Sequence, residues 1–311
     1  MKESGHPRWI GTDLVLLSVV LIWGMNFSIM KGLYEYFHPL AFTALRFVLA
    51  AAALGLVLRW RGLPLAIERP DLMAVVSLGI LSNTVYQILF VLGLASTKSG
   101  NAGLLMATTP VFAYVAGVIL QRERASRTVL GGIFLSMIGV AAVSLFSAQQ
   151  VSVGATWRGD LMVLGAAICW GWYTGGAARL IVKYGAVRLT FWVMVAGTVA
   201  MVPLLLPYLI HQDWLSVPFR GWIGFSYSTF LSIAYCYLAW SYALERVGVA
   251  RTAVFSNLTP LVALIGGWLV LNERPVTGQW IGVALILTGV FIVRSHKPAL
   301  PIPDAKSRGS D

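Results

Sequence analysis

Acidic residues are scarce in this chain, and their positions matter as much as their number. Only 12 of 311 residues are Asp or Glu, and charged residues make up 11% of the whole, where a soluble domain carries roughly a quarter. Away from the termini the acids are Asp13, Glu35, Glu68, Asp71, Glu123, Asp160, Asp213, Glu245 and Glu273, each at the end of an apolar run and none near its middle. This removes the buried carboxylate through which proton-driven carriers exchange proton for substrate. Histidine is equally sparse, at His6, His38, His211 and His296, and Cys169 and Cys236 are the two cysteines. Neither a metal cluster nor a disulfide framework is expected from that set. Paired mid-span aspartates, a His-Glu-x-x-His helix and a serine elbow are all missing, which excludes an intramembrane enzyme. Long polar segments are lacking too: the longest connections lie near residues 59–70 and 148–158, so no soluble catalytic or receptor domain fits between the apolar runs.

What remains is lipid-compatible sequence. Hydrophobic residues make up 58% of the chain and the mean hydropathy is +0.78. A spanning helix needs about 20 mostly apolar residues. Ten windows meet that need, near residues 12–32, 38–58, 71–94, 98–120, 128–147, 159–179, 188–210, 219–243, 250–272 and 277–294. Arg8 and Lys2 precede the first window as in a signal peptide, but no small-x-small cleavage site follows, so the run is read as a retained span. The tail over 295–311 holds three prolines and no apolar period, and is expected to be disordered.

The net charge of +11 and pI near 10.0 would suggest nucleic acid in a soluble protein. Here it reports orientation. With the N-terminus in the cytoplasm, alternate connections leave only Lys31, Lys98, Arg158, Arg220 and Arg274 outside, and every other Lys and Arg except Arg46 falls inside. That is the positive-inside asymmetry.

The chain also repeats itself. Asp13, Trp23 and Gly24 recur 147 residues later as Asp160, Trp170 and Gly171. Thr109, Pro110, Glu123, Arg124, Gly132 and Gly139 recur at a shift of 150 as Thr259, Pro260, Glu273, Arg274, Gly282 and Gly289. Five spans per half is an odd number, so the second half enters the membrane from the opposite side. The expected fold is an all-α polytopic membrane protein of ten transmembrane helices in two inverted five-helix repeats. Its expected units are 1–147, a linker at 148–158, 159–294 and the tail at 295–311. Inverted repeats give secondary transporters two nearly equivalent states, with substrate held between the halves.

The segments Trp23-Gly24-x-Asn26-Phe27 and Leu45-Arg46-Phe47, the Thr-Pro pairs in the fourth and ninth spans, and the Glu-Arg after each resemble the EamA-type transporters of the drug/metabolite transporter superfamily. The resemblance runs from about Thr12 to Arg294. It implies a pseudo-symmetric carrier of a bacterial inner membrane with both termini cytoplasmic, exporting amino acids or other small metabolites. The aromatic content leans toward exporters that include aromatic amino acids. Multidrug efflux is the rival within the same architecture, and a membrane receptor or scaffold is the rival of another class.

Candidate substrate contacts follow from polar and aromatic residues at mid-depth. Span three presents Asn83, Tyr86 and Gln87 at helical spacing. Span eight answers with Tyr237 and Trp240, span one with Trp23 and Asn26, span six with Trp170 and Tyr173, and spans four and nine with Thr108 and Asn257. Unpaired amides are costly in hydrocarbon, so the amides should face a cavity or one another. Such walls suit neutral or zwitterionic solutes. Pro110 and Pro260 should break their helices and free the carbonyls of Met106 and Ser256. Glu123 and Glu273 are candidate gates at opposite faces, or interfacial caps. Arg46 stands open between a cation for a substrate carboxylate or gate and a side chain that snorkels or bonds helix carbonyls, and it is left outside the binding set. The expected partners are a small-molecule substrate and the lipid bilayer, with no cofactor, no metal and no nucleic acid; monomer and homodimer both stay open.

Overall fold

The computed structural model describes residues 7–97, 99–121, 126–146, 157–262, 264–265 and 276–296. Among them every regular element is a helix. The chain runs through α1 (Pro7–Leu33), α2 (Pro39–Trp60), α3 (Arg69–Ser96), α4 (Ser99–Met106), α5 (Thr109–Gln121), α6 (Arg127–Leu145), α7 (Trp157–Tyr184) and α8 (Ala186–His211). Next comes α9, built from Phe219–Ser226, Tyr227–Tyr235 and Cys236–Val247, then α10 (Val249–Val254), a 3₁₀ turn (Phe255–Leu258) and α11 (Thr277–Ser295). Eight helices among the described residues are long and apolar enough to cross a membrane. The chain is therefore a multi-pass membrane protein. Its exposed apolar side chains, Leu14, Leu56, Leu204 and Phe291 among them, meet lipid tails rather than water.

Local chemistry sets the helix boundaries. Pro39 opens α2, where its missing N–H is no loss, and the His38 ring accepts from the Leu40 amide at 3.3 Å. Ser126 caps α6 by accepting from Val129 N at 3.5 Å. Gly185 and Gly248, both at φ +79°, reverse the chain between α7 and α8 and between α9 and α10 in a conformation that other residues adopt only with strain. The expected proline break is present in the first half. Ala107 and Thr108 form a turn between α4 and α5, with Pro110 in the first turn of α5. The 3₁₀ turn Phe255–Leu258 precedes Thr259 and Pro260 in the second half. Two features have no counterpart in the sequence reading: α3 is π-helical over Ile80–Val85, and α9 over Tyr227–Tyr235.

Glycines let the helices cross closely. A β-carbon on Gly139 would lie 2.6 Å from the Gly282 carbonyl oxygen, and one on Gly289 2.4 Å from that of Gly132, so α6 and α11 touch backbone to backbone. Likewise Gly79 on α3 meets Gly197 on α8, and Gly171 and Gly175 on α7 seat Phe112 and Ala116 of α5. Close approach of this kind multiplies dispersion contacts, which drive helix association in lipid. At one end of the bundle, Lys183 reaches Glu68 at 2.6 Å and Asp71 at 2.7 Å, the Tyr184 hydroxyl donates to Asp71 at 2.5 Å, and Arg294 pairs with Asp13. Solvent screens pairs of this sort, and they add little to stability. Lys183→Ala is accordingly expected to leave the thermal midpoint of the purified protein nearly unchanged, read by intrinsic fluorescence in detergent. A drop as large as that of a core truncation would contradict it.

Candidate functional site

Seven of the eleven candidate contacts converge where α1, α3, α7 and α9 meet. Trp170 is the hub. Its ring lies 5.7 Å from Trp23, 5.1 Å from Tyr86, 5.0 Å from Tyr173, 5.0 Å from Tyr237 and 6.0 Å from Trp240. Gln87 joins the group by donating from Nε2 to the Tyr237 hydroxyl at 2.9 Å, and these two residues stand 150 apart as repeat mates. Trp23 and Tyr86 are half-buried, while Gln87, Trp170, Tyr173, Tyr237 and Trp240 are buried. Helical spacing of three places Trp170 with Tyr173 and Tyr237 with Trp240 on common faces. The π-helical segments supply the aim. A wide turn shifts the phase of all that follows it, and in each case it ends just before the site residues, at Val85 before Tyr86 and at Tyr235 before Tyr237.

The polar ends of the aromatics are tied down. Trp23 Nε1 donates to the Ser232 carbonyl inside the α9 π-segment at 2.9 Å, and Trp240 Nε1 donates to Thr174 Oγ1 at 3.2 Å. Asn26 accepts from Ser228 Oγ at 2.6 Å and donates to Met30 Sδ at 3.1 Å. The other candidates are directed elsewhere. Asn83 donates to the Val193 carbonyl of α8 at 3.0 Å, Asn257 donates to Ser136 Oγ of α6 at 2.7 Å, and Thr108 donates to the Leu105 carbonyl at 2.6 Å. These three serve helix joints and the break between α4 and α5. The candidate gates Glu123 and Glu273 lie outside the described residues.

Beside the aromatic hub stands Arg46, 1% exposed. Its guanidinium lies 4.3 Å from the centre of the Phe42 ring, and Nη1 reaches Met30 Sδ at 3.7 Å. The Tyr34 ring packs edge-on against the same Phe42 ring, with centres 6.1 Å apart. Among the described residues no carboxylate pairs with Arg46. Tyr34 was not singled out from sequence, although Asn26, Met30 and Tyr34 form one stripe at spacing of four. Tyr34 lies just past α1, its amide bonded to the Met30 carbonyl at 3.1 Å. Beyond it Phe37, Phe42, Trp222 and Phe225 pack ring on ring at 5.4–5.7 Å and close this end of the bundle. No cluster of metal-ligating side chains occurs among the described residues, and both cysteines are free and buried.

A model described as the EamA-like transporter family matches residues 10–145 and again 157–295. An uncharacterized transporter of Archaeoglobus fulgidus is 30% identical over 92% of this chain and 98% of its own length. The transporter YyaM of Bacillus subtilis is 28% identical over 89% and 92%. A probable terminal-alkyne amino-acid exporter of Streptantibioticus cattleyicolor is 26% identical over 89% and 91%. One crystal structure superimposes with a TM-score of 0.75 at 17% identity, covering 91% of this chain and 96% of that one, a likeness of fold.

Proposed function

The chain belongs to the EamA-like transporter family, and from that premise we propose that it exports small neutral or zwitterionic metabolites, amino acids with aromatic side chains among them, across a bacterial inner membrane. It is a transporter and not an enzyme. In this reading ten helices form two inverted repeats, 1–147 and 159–294, joined by 148–158, with both termini cytoplasmic. The two separate family matches support the division. So does the reciprocity of contacts between repeat mates: Gly139 meets Gly282 as Gly132 meets Gly289, and Gly24 meets Val262 as Gly171 meets Phe112. Reciprocal pairs of this kind are what a two-fold relation produces.

The observation that carries the substrate class is the hub of Trp23, Tyr86, Trp170, Tyr173, Tyr237 and Trp240 around the Gln87–Tyr237 bond, at the junction of the halves. Its aromatic faces suit apolar and aromatic side chains, and its amide suits neutral polar groups. The amino-acid exporter among the relatives points the same way. Asn83, Thr108 and Asn257 brace the surrounding helices, while Asn26 steadies Met30. Glu123 and Glu273 would gate opposite faces as the halves exchange roles. With no carboxylate at mid-depth, movement follows the solute gradient. Proteoliposomes loaded with unlabelled neutral amino acids are expected to accumulate labelled phenylalanine by counterflow, at a rate unchanged when a pH gradient is imposed or collapsed. Strict dependence on that gradient would overturn movement without proton coupling, and exchange of lipophilic cations alone would favour the efflux reading.

A further inference from the structure

Arg46 Nε and the Tyr34 hydroxyl are buried donors with no hydrogen-bond partner among the described residues. Snorkelling does not describe Arg46, since its side chain is 1% exposed. Among the described residues Nη1 donates to a thioether sulfur, a weak acceptor already shared with Asn26. An arginine within a membrane-spanning helix is costly, and buried ions normally have a counter-charge or several acceptors. The groups around it are instead phenols, at Tyr34, Tyr86 and Tyr237, which can donate but carry no charge. Tyr237 already accepts from Gln87, so its own proton is free to turn outward.

We propose that Arg46 and Tyr34 recognise a carboxylate on the transported solute. A carboxylate offers two oxygens to a guanidinium fork and leaves lone pairs for a phenol. One cation at the site matches one negative charge, which disfavours phosphate esters and dicarboxylates. The body of the solute then lies along Tyr86, Trp170 and Trp23, whose rings continue from this point. No Asp or Glu lies near the middle of any apolar run to hold an ammonium, so an α-amine is tolerated and not required. The preferred class is aromatic monocarboxylates, amino acids included. The repeat explains why the point is single: the mate of Arg46 is Val193, whose carbonyl accepts from Asn83. Only one half holds the cation, so the solute binds in one direction.

This inference rests on the exporter reading, and the test separates the two. Tryptophan fluorescence of the purified full chain is titrated with 3-phenylpropionate, L-phenylalanine and L-phenylalaninamide. The two carboxylates are expected to bind at least about tenfold more tightly than the amide, the worth of one charge-assisted hydrogen bond. Arg46→Gln should erase that preference, Arg46→Lys should keep part of it, and Tyr34→Phe should weaken the carboxylates several-fold while leaving the amide unchanged. Tyr34→Phe carries the test alone if the arginine variants do not fold. Equal affinity for acid and amide in the unsubstituted protein, binding of neither acid, or a preference that survives both substitutions overturns the proposal. Phenylalanine counterflow unaffected in Arg46→Gln would remove Arg46 and leave the exporter reading standing, whereas exchange of lipophilic cations alone would remove both.

Discussion

Gly139→Val and Gly289→Val are each expected to leave little or no monodisperse protein after extraction from the membrane. A β-carbon on Gly139 would lie 2.6 Å from both the Gly282 oxygen and the Ile286 nitrogen; on Gly289 it would lie 2.4 Å from the Gly132 oxygen and 2.6 Å from the Ser136 nitrogen. Non-bonded heavy atoms gain their attraction at about 3.5–4.0 Å, and the two nearest obstructing atoms at each site are backbone, so moving a side chain cannot relieve the clash. The helices must separate instead. Overpacking in a core costs typically about 1–3 kcal/mol, and parting α6 from α11 exceeds that, since it loosens contacts along the whole crossing, from Gly132 against Gly289 to Gly139 against Gly282. Gly131 supplies the internal control. It lies on the same helix with nothing within 4 Å of an added β-carbon, so Gly131→Ala should be neutral or gain up to about 1 kcal/mol from improved helix propensity. Size-exclusion profiles and thermal midpoints of the three variants decide the matter: wild-type behaviour of Gly139→Val would mean that α6 and α11 do not cross as closely as described.

Much of this arrangement was legible because lipid simplifies the code. For eight of the ten windows an apolar run located a membrane-length helix to within a few residues, as with the window at 188–210 against α8 over Ala186–His211. The break before Pro110 follows from a missing N–H, a property of the residue itself. The hub was legible for a similar reason, since aromatics at spacings of three recur on helices that the repeat had already paired. What escaped was phase. Counting at 3.6 residues per turn puts Asn83 on one face with Tyr86 and Gln87, but Asn83 sits inside the π-helical segment Ile80–Val85. The wider turn rotates it onto α8, where it bonds the Val193 carbonyl. Composition gives no sign of such a turn, because a π-segment changes which carbonyl an amide reaches and not which residues are used. The surroundings of Arg46 were hidden differently. They depend on α1 delivering Met30 and Tyr34 to the face where α2 presents Phe42, a tertiary meeting that no single span encodes.

Trp240→Ala is expected to be the most damaging truncation in the hub, and indole is expected to reverse part of the damage. Trp240 is fully buried, its ring 5.3 Å from Trp23 and 6.0 Å from Trp170. Removing a buried Trp costs about 3–5 kcal/mol through lost contacts and the void left behind, and here it also leaves Thr174 Oγ1 without the indole N–H that it accepts. The void would be walled by rings and carry one polar handle. Engineered voids of mainly apolar lining stay dry and bind a molecule of matching shape, and indole restores both the ring and the donor to Thr174. The thermal midpoint of Trp240→Ala should therefore fall well below wild type and rise with added indole, while Trp240→Phe should fall less and respond less. Indole should shift the wild type only through its transport site, at higher concentration and by a smaller amount. The two outcomes separate two kinds of centre. Recovery by indole means that Trp23, Trp170 and Thr174 hold their places around the gap, as a preformed recognition surface would. Failure to recover means that they collapse into it, and a centre that repacks so readily would fit the adaptable pocket of a multidrug carrier better than the selective one argued above.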